Sequence, residues 1–310
     1  ESEYSVAKGF FSSLKEGVSK QFKLAAPFIF VPGNHDCEVS KEAALRQSVI
    51  AGIKSSLESI SFDDTSVCDE CTKVQDNYYK FVSSVNGEAC SLVGSDRLHF
   101  TTYHSFDSCN VSIECFNTAW LSQRQEKQGQ LFYPSKLLET PDASSDLAIS
   151  IFHHPYNWLE ADNARAFRKN IERKSDIILT GHEHEATSYT KTSARGEHSH
   201  YVEGAVLQTN DPYHSGFNIL KVDLTEKRWK AMQYEWEPKQ QLYGLADPKS
   251  SDWQVFERSK HSTQRQFDNT LEYANYLLDA GVEFTHPKSS KVRLDDLYVN
   301  PDLSVLAIES

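Results

Sequence analysis

Five side chains able to bind metal follow directly on apolar runs. Asn34 and His35 come soon after Phe28-Ile29-Phe30-Val31, His153 after Ile149-Ser150-Ile151-Phe152, and His182 and His184 after Ile177-Ile178-Leu179-Thr180. Imidazole and carboxamide groups suit manganese, iron or zinc. In α/β sheets such chemistry collects at the carboxyl ends of strands, so three strand ends of this kind point to one metal centre able to cleave phosphoesters. His182 and His184 are separated by one residue and point the same way on an extended backbone. Gly181 permits a turn that a Cβ would strain. Asp36 is placed to hydrogen-bond the His35 ring and fix its tautomer.

The elements that must position these groups follow from periodicity. Residues 4–24 read as an amphipathic helix lying against a sheet, with Phe10, Leu14, Val18 and Phe22 four apart and Phe11 beside them. A strand at Phe28–Val31 follows, then a helix at 41–60. Residues 61–95 are polar and cysteine-bearing, and read as an insertion or surface loop region. Strands are expected at 99–103 and 111–116, the second running into Asn117. A polar stretch at 122–146 holds a short helix near Ser135–Glu139, and a strand at 147–152 leads to His153. The helix at 161–174 turns Ala164, Phe167 and Ile171 inward and Arg165, Arg168, Lys169, Arg173 and Lys174 outward. A strand at 176–180 delivers Gly181, and three mainly antiparallel strands follow at 200–208, 216–224 and 228–236. A last helix at 264–280 ends at Gly281, where a C-terminal glycine belongs.

A length of 310 residues holds one large α/β domain, or one domain plus an appendage. The net charge of −12 argues against a broad duplex-DNA footprint, and leaves room for a nucleotide or a short single strand. No apolar run approaches the ~20 residues that span a bilayer. The first residues lack the apolar core of a signal peptide, so a cytoplasmic protein with reduced cysteines is expected. Cys68 and Cys71 have the spacing of a zinc clip that Cys90 or Cys109 could complete. The other spacings match no compact zinc module, which favours thiols.

Taken in order, Gly33-Asn34-His35-Asp36, His153-His154-Pro155 and Gly181-His182-Glu183-His184 resemble the motifs of the calcineurin-like metallophosphoesterase family, over residues 1 to about 236. The resemblance implies a four-layer α/β/β/α sandwich of two mixed sheets, occupying residues 1–238. A C-terminal helix and linker-like extension would fill 239–310. It implies that Asn34, His153 and His182 hold one divalent ion and His184 a second, with His35 as the catalytic histidine and Asp36 beside it. Two-metal hydrolysis would follow, with in-line attack at phosphorus while both ions absorb the developing charge.

His154 and Asn117 are candidate substrate contacts, with interior packing as their alternative. The family's earlier D-x-H and G-D-x-x-D/E elements do not occur, so an N-terminally truncated chain, poorly active alone, is expected. Residues 292–303 resemble linkers that precede the ATPase module of large bacterial defence or signalling NTPases, which implies an effector fused to an NTPase or sensor domain after residue 310. The expected activity is that of a phosphodiesterase or nuclease, acting on a nucleotide or single-stranded nucleic acid with two manganese, iron or zinc ions. The alternatives are a non-catalytic phosphoesterase-like scaffold and a phosphoprotein phosphatase. Oligomeric state stays open.

Overall fold

In a computed structural model the described residues are 2–23, 27–41, 44–55, 65–87, 94–106, 109–134, 145–184, 186–193, 198–207, 215–246 and 252–256. The strands that carry the histidines are apolar on both faces, as parallel strands covered on two sides must be. β2 (Cys109–Phe116), β3 (Leu147–Phe152), β4 (Ile177–Thr180) and β6 (His198–Glu203) run parallel to one another. β1 (His99–Phe106) and β5 (Ser188–Thr192) close the two edges antiparallel, which gives one mixed six-stranded sheet. A second sheet pairs β7 (Gly216–Asp223), β8 (Arg228–Glu237), β9 (Leu242–Leu245) and β10 (Gln254–Val255), antiparallel throughout. The chain is thus mixed α/β with two sheets.

Alternation along the strands decides which layer each side chain meets. Val111, Leu147, Ile177 and Val202 pack against Trp229, Ala231 and Phe256, joining the two sheets. Phe116, Phe152, Ile178 and Tyr201 take the opposite face and pack against Phe167 and Ile171 of α5 (Ala161–Lys174). The neighbours Ile177 and Ile178 therefore serve different cores, and a slip of one residue would exchange them. At its start α5 is capped by Glu160, whose carboxylate accepts from the backbone N–H of Asp162 and Asn163, both at 3.0 Å.

Several expectations are corrected. Phe28–Val31 is not a strand, because a strand exists through its ladder and no described strand pairs with this segment. Side chains hold it instead: Phe28 and Phe30 meet Phe11 edge-on, with centroids 5.2 and 5.0 Å away, and the Phe28 carbonyl accepts from Asn86 Nδ2 at 2.8 Å. α1 (Ser2–Phe22) buries Tyr4, Ala7 and Phe11 against a helix, not a sheet, and leaves Phe10, Leu14 and Phe22 exposed.

Much of 61–95 is helical rather than loop. α3 (Ser66–Thr72) and α4 (Asp76–Asn86) follow α2 (Ala44–Ser55). The spacing Tyr78, Phe81, Val82, Val85 gives α4 a packed face, and Gly87 at φ +91° ends it. Cys68 and Cys71 are fully buried thiols among Ile50, Ile53, Leu98 and Trp120, an apolar setting unlike a zinc clip, and Cys90 lies outside the described residues. Lys174 faces inward, 3% exposed, paired with Glu114, because α5 brings its last turn over β2.

By its internal contacts the chain divides into Glu1–His261 and Ser262–Ser310. The first unit runs past residue 238 because β9 and β10 both hydrogen-bond to β8. The expected helices near Ser135–Glu139 and at 264–280, and the segment 292–303, lie outside the described residues. No described helix is long and apolar enough to cross a membrane.

Candidate metal centre

β3 and β4 are neighbours, with Ile151 level with Leu179. The ladder continues past both strands, since Gly181 N–H donates to the His153 carbonyl at 3.1 Å. His153 and His182 therefore leave adjacent strands at nearly the same height. His153 Nε2 lies 3.1 Å from His182 Nδ1 and 3.1 Å from Asn34 Oδ1. Asn34 arrives from a short 3-10 turn, Asn34–Asp36, far away in sequence. Three of the expected ligands thus converge on one point.

The donors fit a divalent transition ion. At metal–ligand distances of about 2.0–2.2 Å, neighbouring ligands in octahedral or tetrahedral shells lie roughly 2.8–3.6 Å apart. Both measured separations fall in that range. Ion binding also needs neutral imidazoles. Burial, helped by the charges of the surrounding histidines, pushes His153 down to about 2. Burial and His154 push His182 down to about 4. Both rings are neutral at pH 7.

His184 is exposed on the turn after His182, and His35 is exposed one residue after Asn34. Neither makes a described hydrogen bond to the cluster, yet the charge of each helps to depress His153. The backbone around them is not extended. His182 and His184 hold φ of +77° and +61°, a left-handed conformation that costs residues with a Cβ about 1–3 kcal/mol and is found at functional sites. Gly181 is not the left-handed residue, and a Cβ there would meet His153 Nδ1 at an ordinary 3.5 Å. It is Gly33 whose missing side chain matters, because a Cβ there would come within 2.9–3.0 Å of the His153 ring.

Asp36 does not reach His35. Its Oδ1 accepts from Tyr4 OH at 3.0 Å and its Oδ2 from Gly33 N–H at 2.9 Å, so it closes the turn and ties it to α1. Burial raises its pKa, against the opposing pull of those two donors and of His35.

The two candidate substrate contacts are interior groups. Asn117 Nδ2 donates to Gln75 Oε1, Tyr79 OH and the Arg97 carbonyl at 2.7, 3.2 and 3.0 Å. Its Oδ1 accepts from Gln75 Nε2 at 3.4 Å, so both ends of the amide are engaged. It sits on the wall of an apolar cleft of about 240 Å³ between Phe28–Pro32 and β1, not beside the histidines.

His154 is fully buried. Thr118 Oγ1 accepts from its backbone N–H at 2.9 Å and lies 3.3 Å from its Nδ1, and Glu126 Oε2 lies 3.3 Å from its Nε2. Thr118 and Glu126 thus give each ring nitrogen of His154 a partner. His154 therefore backs the site: its ring lies 4.5 Å from that of His182 and 4.8 Å from that of His153, centroid to centroid.

The sequence from residue 5 to residue 186 matches the calcineurin-like phosphoesterase family. The chain belongs to that family. Among solved structures it is similar to a hypothetical protein from Thermus thermophilus, at 11% identity and a TM-score of 0.24, covering 44% of this chain and 56% of that one. It is also similar to a novel phosphatase from Mycoplasma pneumoniae, at 13% identity and a TM-score of 0.25, covering 48% and 59%. The chain thus spans somewhat more than half the length of either structure. No curated protein matches it. The family generally binds divalent metals, and the Asn34–His153–His182 convergence gives this chain donors for such an ion.

Sequence reasoning missed Trp158, Glu126 and Glu183 at this site. The Trp158 ring lies 4.1 Å from that of His182, and Trp158 Nε1 donates to Glu183 Oε1 at 2.6 Å, which holds the 182–184 turn. Trp158 stands three residues after Pro155, and that proximity to the motif was its only signal. Glu126 is a single acid in a polar stretch and carries no signal of its own.

Proposed function

We propose that the chain is a metal-dependent phosphodiesterase or nuclease in which Asn34, His153 and His182 hold one divalent ion and His184 helps hold a second. The observation that carries this reading is the pair of 3.1 Å separations centred on His153 Nε2, made by three neutral donors from three distant parts of a phosphoesterase-family chain. Manganese, iron or zinc would each suit these ligands. Such ions lower the pKa of water and neutralise charge on a phosphoryl group. The residues do the rest. His35, exposed beside Asn34, hydrogen-bonds a phosphoryl oxygen and delivers a proton to the leaving oxygen. His154, Trp158 and Glu183 fix the His182 ring from behind and from the side. The substrate we favour is a nucleotide or short single strand, since a chain of net charge −12 offers little to a long duplex.

The test is hydrolysis of bis-p-nitrophenyl phosphate and of the corresponding monoester, with manganese and with EDTA. Diester cleavage that needs the ion supports the reading, and a preference for the monoester would point to a phosphatase instead. A chain that binds manganese or zinc and cleaves neither ester would be a scaffold. His35→Ala should lower kcat by about 10²–10⁴-fold, the usual contribution of an acid–base group, and leave metal affinity intact.

A further inference from the structure

The three donors at the centre are all neutral. A divalent ion among them keeps its full charge in a partly buried place, which costs free energy unless a carboxylate stands near. Among the described residues three acidic groups stand near the site, Asp36, Glu126 and Glu183. Asp36 is bound to Tyr4 and Gly33. Glu183 is the most open to solvent, and its Oε1 already accepts from Trp158, Asn157 and Gln128. Solvent screens what charge it offers.

Glu126 is different. Its side chain is 7% exposed, its Oε2 meets His154, and its Oε1 is buried and accepts no hydrogen bond of normal geometry from any described group. The Ser122 hydroxyl beside it is buried too and acts as a weak donor to the carboxylate. A buried carboxylate charge is costly in the protein by itself, and a cation close by would offset part of that cost. His154 separates Glu126 from His182, with its Nε2 toward the carboxylate and its ring centroid 4.5 Å from that of His182.

We propose that Glu126 supplies the buried negative charge of the metal centre, acting on the ion through His154 and His182 as a positioning residue and not as a ligand. The proposal rests on the metal-centre reading above and adds a residue to it. Two substitutions separate charge from orientation. Glu126→Gln keeps an acceptor for His154 Nε2–H and removes the charge. Glu126→Asp keeps the charge and draws it back from His154 by one methylene.

Calorimetric titration of the 310-residue chain with manganese and with zinc gives the affinities, and thermal unfolding without metal gives the stabilities. Glu126→Gln should weaken binding by about 10- to 100-fold, the usual effect of a lost outer partner, and its metal-free Tm should equal or exceed that of the wild type. Glu126→Asp should stay within about threefold of wild type. Retained affinity in Glu126→Gln overturns the proposal, and so does an equal loss in both variants, because either makes Glu126 only a prop for His154. Asn34→Ala, run alongside, should abolish tight binding. If it does so while Glu126→Gln binds normally, the metal centre stands and only the role of Glu126 falls. If the wild type takes up neither ion, both fall.

Discussion

Gly33 and His153 are in contact although they lie far apart in sequence: a Cβ at Gly33 would lie 2.9 Å from His153 Cε1 and 3.0 Å from both ring nitrogens. Gly33 has φ −101° and ψ 178°, which any residue can adopt, so space and not backbone freedom requires glycine here. Gly33→Ala must push the His153 ring away from Asn34 and His182. The expected outcome is metal affinity weakened by about tenfold or more, with a stability loss of about 1–3 kcal/mol typical of overpacking. Titration calorimetry and urea unfolding of the same variant read the two effects separately.

Metal should stabilise the fold as it binds the native donors. At 100 times its Kd, an ion specific for the folded state adds about 2.7 kcal/mol. Thermal scans with and without manganese or zinc should show that upward shift in the wild type and none in His153→Ala. An equal shift in both would mean that the ion binds elsewhere.

The acid limb of stability has a predictable sign. His153 and His182 titrate at about 2 and about 4 in the folded metal-free chain, against an ordinary value of 6.5. The unfolded chain therefore takes up protons first. The stability these rings contribute is complete above pH 6.5 and is lost progressively as pH falls toward 4 and then 2. Urea midpoints between about pH 7 and about pH 4.5 should fall in the wild type and fall less steeply in His153→Asn.

Lys174 and Glu114 form a buried pair between α5 and β2, with His99 Nε2 also 3.3 Å from the carboxylate and Lys174 Nζ 4.8 Å from the Phe116 ring centroid. Burial raises the Glu114 pKa, but His99 and Lys174 together outweigh it and hold the carboxyl below its usual range. Removing one partner of a buried pair typically costs about 3–5 kcal/mol, so Glu114→Gln should cost about that much. Adding Lys174→Met should recover most of the loss. Chemical denaturation of Glu114→Gln, Lys174→Met and the double variant completes the cycle, and additive losses would refute the coupling.

The sequence was most readable where one local pattern decides the outcome. The apolar runs at 147–152 and 177–180 are β3 and β4, and the spacing of Ala164, Phe167 and Ile171 is the inner face of α5. The structure brings together Asn34, His153 and His182, polar residues that follow such apolar runs. Features that depend on distant partners were not readable. Phe28–Val31 has strand composition, yet a ladder needs a neighbour that composition does not specify. Asp36 finds its partner in Tyr4, 32 residues earlier, and not in the adjacent His35. α4 was hidden by its polar composition, although Tyr78, Phe81, Val82 and Val85 carry helical spacing.

The pairing of Ile151 with Leu179 sets His153 and His182 at one level, and it gives the chain a built-in folding reporter. Displacing β4 by two residues would keep every apolar side chain on its own face, yet it would carry His182 about 6.6 Å along the strand, beyond reach of any ion held by His153. Misaligned compact states could bury nearly as much apolar surface as the native one and still lack a metal site. Ion uptake during refolding should therefore lag behind collapse and coincide with correct alignment of the central strands.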